Sequence, residues 1–164
     1  MRYLSVLAIL YLSIINANAG VFQNLDKLLL EEEIVDKDYV YIDTKLAYQA
    51  FRIMNNAIAA TLPVNINSYT EATSVIFTPY MGSFYYTVDM DLSGEDIETM
   101  RESLTEHNYI KNLCDNVYDA KFQRANSFVL NAFFRDTEGK MISKVVLDKN
   151  TCSRRDVYYA DLFD

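Results

Sequence analysis

Apolar residues recur at helical spacing in one part of the chain and at alternate positions in another, and that alternation of periods lays out the fold. Between Asp43 and Thr61, Leu46, Ala50, Ile53, Ala57 and Ile58 form one helical stripe, while Lys45, Gln49, Arg52 and Asn56 point away from it. Asp43 or Thr44 is placed to cap the start. Leu62-Pro63 ends the helix, because the residue before proline avoids the helical region and proline lacks a donor. Upstream, the segment 20–43 joins an apolar cluster (Val21, Phe22, Leu25, Leu28, Leu29) to an acidic run (Glu31, Glu32, Glu33, Asp36, Asp38). This predicts a short amphipathic helix that frays at its acidic end, where the charge opposes the helix dipole.

From Thr73 the period becomes two. Val75 and Phe77 alternate with polar neighbours, Pro79 and Gly82 bracket a bend, and Phe84, Tyr86, Val88 and Met90 share one strand face, with Tyr85, Thr87 and Asp89 on the other. The expectation is a hairpin with Pro79 at an edge or bulge. Ser93 opens the next helix, with Glu95 and Asp96 in its first turn and Ile97, Met100 and Leu104 along its buried side. Asn108 marks a break before a second short turn that carries Ile110, Leu113 and Cys114 inward. After a polar bridge, Phe128, Leu130, Ala132 and Phe134 alternate with Val129, Asn131, Phe133 and Arg135. The turn Asp136-Thr137-Glu138-Gly139 then leads to Met141, Ser143, Val145 and Leu147 on a return strand.

The resulting order of helix, helix, two strands, helix, two strands predicts an α+β fold: an antiparallel sheet of about four strands in two hairpins, with helices packed on one face.

The first residues change the picture of where this fold works. Residues 1–19 carry Arg2, an apolar run from Tyr3 to Ile15, and Ala17-Asn18-Ala19 ahead of Gly20, the layout of a secretory signal peptide cleaved after Ala19. The run is short for a membrane span, which takes about 20 residues. No cysteine follows the cleavage point to carry a lipid. The mature chain, 20–164, is then one α+β domain with an acidic, amphipathic segment at 20–43 and a tail at 153–164, and it contains no stretch apolar enough to span a membrane. The expected compartment is the bacterial periplasm, with secretion as the alternative. The chain has no Asn-x-Ser/Thr sequon, which agrees with a bacterial or phage origin.

Export changes the reading of Cys114 and Cys152, the only cysteines. In an oxidising compartment they predict one disulfide, joining the second helical turn to the end of the last hairpin. Charge narrows the partners. The formal charge is −8, and loss of Arg2 makes it more negative, since residues 1–19 hold no acid. Such a field repels phosphate backbones and anionic membrane surfaces, so no nucleic acid is expected and a basic or apolar protein surface is the natural target.

Catalytic and metal chemistry find little to stand on. His107 is the only histidine, and a general base needs an orienting partner that the sequence does not supply. The cysteines are not in a CxxC arrangement, so a thioredoxin-type role has no support. One histidine and two bridged cysteines are too few soft ligands for zinc, and the acidic run lacks the ligand spacing and loop glycine of a calcium site. Gly94 and Gly139 stand alone, without a phosphate loop. No cofactor and no metal are expected.

Composition supplies the remaining signal: 13 Tyr and 9 Phe without a tryptophan. Tyrosine gives large contact area at low entropic cost, and Tyr85, with Tyr158 and Tyr159 of the tail, are the residues singled out for a protein-binding surface. Other tyrosines complete the core.

Taken together, Leu62-Pro63 with Asn67 and Thr70, then Phe84-Tyr85-Tyr86, Cys114, Phe133-Phe134-Arg135-Asp136 with Gly139-Lys140, and Cys152 resemble a small exported domain that recurs in uncharacterised proteobacterial proteins. There an "LP…D…T" segment precedes a tyrosine-rich strand, and a "YxYxDxxG" hairpin lies between two cysteines. The resemblance covers about residues 45–152, with Asn67 in place of the usual Asp and Phe133-Phe134 where Tyr is common. It implies fold and compartment and no activity.

The functional expectation is therefore a non-enzymatic exported domain that binds another protein, an accessory or pilotin-like factor of a cell-envelope machine. The alternatives are an immunity or exclusion protein that neutralises a toxin or lysin, an exported hydrolase with a site near His107, and a carrier of a small apolar ligand between helix and sheet.

Overall fold

The structure, a computed structural model, describes residues 21–90 and 93–153. The signal-peptide reading of 1–19 and the tail tyrosines Tyr158 and Tyr159 lie outside the described residues. Among the described residues two helices come first, α1 (Val21–Glu31) and α2 (Thr44–Ala59). Asp43 caps α2, its carboxylate accepting from the Lys45 and Leu46 N–H groups at 2.7 and 3.1 Å. The buried stripe of α2 is Ala47, Phe51, Met54 and Ile58, one residue round from the expected stripe. Leu46 and Ala50 flank it, half-buried against the core. The four polar positions that the sequence turned outward are exposed.

Next come the strands β1 (Val64–Asn65), β2 (Thr70–Thr78) and β3 (Met81–Val88), then helices α3 (Gly94–Thr105), α4 (His107–Asn116) and α5 (Lys121–Ala125). Strands β4 (Val129–Asp136) and β5 (Met141–Leu147) and a final helix, α6 (Lys149–Ser153), complete the order. The sheet has five strands in the order β1-β2-β3-β4-β5. The two expected hairpins are present, but the sheet is mixed, because β3 and β4 run parallel with Tyr85 opposite Phe133 and Tyr86 opposite Phe134. The reason is the connection: α3, α4 and α5 carry the chain back along one face before β4 begins, so β4 enters the sheet in the same direction as β3.

Local chemistry explains the other departures. Pro79 is not in a strand. With Tyr80 it forms the turn between Thr78 and Met81, where a missing N–H costs no ladder bond. Gly82 belongs to β3, not to the bend. A Cβ there would sit 2.7 Å from Leu130 Cδ2 and 2.8 Å from Phe77 Cε1, so glycine is needed for close packing. The helical break falls at Glu106, with His107 beginning α4, two residues before Asn108. The expected polar bridge after Cys114 is a buried corner. Tyr118, Ala120, Phe122 and Gln123 are at most 1 % exposed, and the Tyr118 hydroxyl donates to Phe128 O at 2.8 Å.

Because strand side chains alternate, the register fixes two faces. Phe77, Phe84, Tyr86, Val88, Leu130, Phe134, Val145 and Leu147 turn toward the helices and join one core with Leu25, Leu29, Phe51, Phe122 and Phe128. A bulge opposite Phe134 and Arg135 adds Ile142 to that core at 2 % exposure. Cys114 of α4 and Cys152 of α6 form the expected disulfide, with an S–S distance of 2.05 Å and both residues buried.

Helix side chains meet β2 beyond its two-residue pairing with β1, and also the outer strand β5. Asn55 of α2 accepts from Phe77 N and donates to Phe77 O, each at 2.7 Å, so its amide stands in for a neighbouring strand along β2. Arg101 of α3 donates through Nε to Ile142 O of β5 at 3.1 Å. Such contacts leave fewer open backbone groups for another chain to pair with.

Candidate functional site

Tyr85 is placed by the parity of β3. Phe84, Tyr86 and Val88 are claimed by the core, so Tyr85 and Thr87 emerge on the opposite face, on which no helix of the described residues packs. One cross-strand row on that face reads Ser74, Tyr85, Phe133, Lys144 from β2 to β5. The Tyr85 and Phe133 rings stack at 5.0 Å between centroids and 13° between planes. The Lys144 ammonium lies 5.2 Å from the Phe133 centroid, a cation–π contact at the β5 end. At the β2 end the row stops at Ser74, whose small side chain provides no ring to pair with the far side of Tyr85.

A bulge between Ala72 and Ser74 leaves Thr73 unpaired, and its hydroxyl donates to Tyr85 O at 3.1 Å. Beside it lies an open depression of about 440 Å³ whose lining includes Thr73, Ser74, Ile76, Tyr85, Thr87 and Arg135. Ile76 and Met81, on the same face, are 47 % and 41 % exposed. The Arg135 guanidinium forms no hydrogen bond or ion pair among the described residues.

The other singled-out positions take structural roles or leave the described region. Cys114 and Cys152 are joined to each other, so neither is a free nucleophile. His107 lies exposed at the first position of α4. Among the described residues no group of three His, Cys, Asp or Glu side chains could hold a metal ion, and no helix is long and apolar enough to cross a membrane. The acidic run after α1 is solvated at Glu31, Glu33 and Asp38, while Asp36 accepts from the Asp38 and Val40 N–H groups, both at 2.9 Å.

Sequence reading passed over Asp26, Asn126 and Arg135. Asp26, 7 % exposed, accepts from Lys121 N at 2.7 Å and Phe122 N at 2.9 Å, tying α1 to the start of α5. Burial pushes its carboxyl above the ordinary value of 3.8, against those two hydrogen bonds. Asn126 donates to Tyr39 O at 2.7 Å and accepts from Tyr41 N at 3.1 Å, clamping the loop ahead of α2. Asp26 follows Leu25 on the apolar side of α1, and a carboxylate in that setting was the available signal. Nothing local marks Arg135, whose surroundings depend on strand register.

No family model matches this sequence, and no curated protein does. Among solved structures, the chain is similar to a Pseudomonas aeruginosa protein described as a candidate secreted protein, at 13 % identity and a TM-score of 0.50, covering 69 % of this chain and 98 % of that one. It is also similar to the type 2 secretion system pilotins EpsS of Vibrio vulnificus (12 %, TM-score 0.45) and AspS of Vibrio cholerae (11 %, 0.43), each over 66 % of this chain and 94 % of the other. At this identity the Pseudomonas structure shows the shared α+β fold alone. The pilotins are looser likenesses, and no functional conclusion rests on them.

Proposed function

We propose that this chain is an exported, disulfide-tied domain that binds another protein through the sheet face that no helix of the described residues covers, acting as an accessory factor of a cell-envelope machine and not as an enzyme. The observation that carries this reading is the Tyr85–Phe133 pair, set at the middle of that face with exposed Ile76 nearby and exposed Met81 at the start of β3. Rigid aromatic anchors surrounded by aliphatic contacts are the usual make-up of the energetic centre of an interface. The Cys114–Cys152 bridge supports the compartment, since such bonds persist outside the reducing cytosol.

The test is in-cell photo-cross-linking with a benzophenone side chain in place of Tyr85. A control at Tyr48 of α2, which is 50 % exposed, reports nonspecific capture. A discrete protein adduct from position 85, absent at position 48 and lost with Phe133→Ser, is the expected result. Equal adducts from both positions, or none from position 85, would remove this reading.

A further inference from the structure

We draw no further inference here: the strongest candidate, the open sheet face around the Tyr85–Phe133 pair, carries charges of both signs, with Glu71 in the cross-strand row of Arg135 and Asp136 lining the same depression, and nothing in the structure shows what covers it.

Discussion

On the helix-covered side of the sheet, Tyr86 stacks on Phe134 with centroids 4.9 Å apart. On the open side, Tyr85 stacks on Phe133 at 5.0 Å. The same pair of residue types, one position further along the same two strands, serves two purposes. Tyr86 also stacks near Phe84, and burial pushes its hydroxyl up to about 12, so it stays neutral in the core. Tyr85 has Ser74 on one side and, beyond Phe133, a lysine. The difference teaches that a ring's role is set by its row neighbours and not by the number of rings in the strand.

The sharpest way to break the comparison is to truncate each phenylalanine in turn. Phe134→Ala opens a cavity at a site 7 % exposed and should cost about 3–5 kcal/mol in urea unfolding. Phe133→Ala should cost about 1 kcal/mol, the order of an aromatic pair with little burial. Equal costs would mean that the open face is part of the core.

Removing the disulfide through Cys114→Ser with Cys152→Ser acts on the covered side alone, where it separates α4 from α6. A loss of roughly 2–4 kcal/mol is expected, with the NMR shifts of Tyr85 and Phe133 unchanged below the unfolding transition. A disturbance of those shifts would show that the two faces are coupled.

Asp26 tests the covered side by pH. Its folded-state pKa is raised by burial, so the proton is held more tightly in the fold than in the unfolded chain. The stability linked to that proton is fully present below 3.8, the ordinary value, and is lost as pH rises through the raised one. The urea midpoint of the natural protein, taken relative to Asp26→Asn, should therefore fall across that window. At neutral pH the variant should still lose about 1 kcal/mol, because its amide offers one oxygen to two N–H groups.

Tyr85→Ser removes the same stack from its other side and should cost no more than Phe133→Ala, about 1 kcal/mol, while adducts formed by a cross-linker at position 133 should be lost. A large destabilisation would turn Tyr85 into a structural residue.

How much of this was legible depended on whether the decisive contact was local. The hairpins and the Asp43 and Ser93 caps were readable, because each is set by residue type and spacing within a short window, and the disulfide because the chain has only two cysteines to pair. The stripe of α2 was ambiguous because its apolar residues come in adjacent pairs, Leu46-Ala47, Ala50-Phe51, Ile53-Met54 and Ala57-Ile58, and either member of each pair satisfies the helical period. Packing chose the set containing Phe51 and Met54. The direction of β4 relative to β3 was hidden, since alternation is identical in parallel and antiparallel strands. At the candidate site, the outward parity of Tyr85 could be read from β3. The stack on Phe133 and the isolation of Arg135 could not, because both arise from the pairing of β3 with β4.

That central parallel pairing also sets the timetable of folding. Each hairpin closes through a short turn, whereas Met81 pairs with Val129 across three intervening helices, so this seam is expected to form after them. Contacts between distant parts of a chain form slowly, and unpaired strand edges are exposed to aggregation while they wait. Pulse-labelled hydrogen exchange should find amides at the β3–β4 seam protected after those within either hairpin. Simultaneous protection would refute that order. A chain that folds in this order spends its vulnerable interval as two half-sheets, and the speed with which α3, α4 and α5 pack, more than the stability of either hairpin, decides how long that interval lasts.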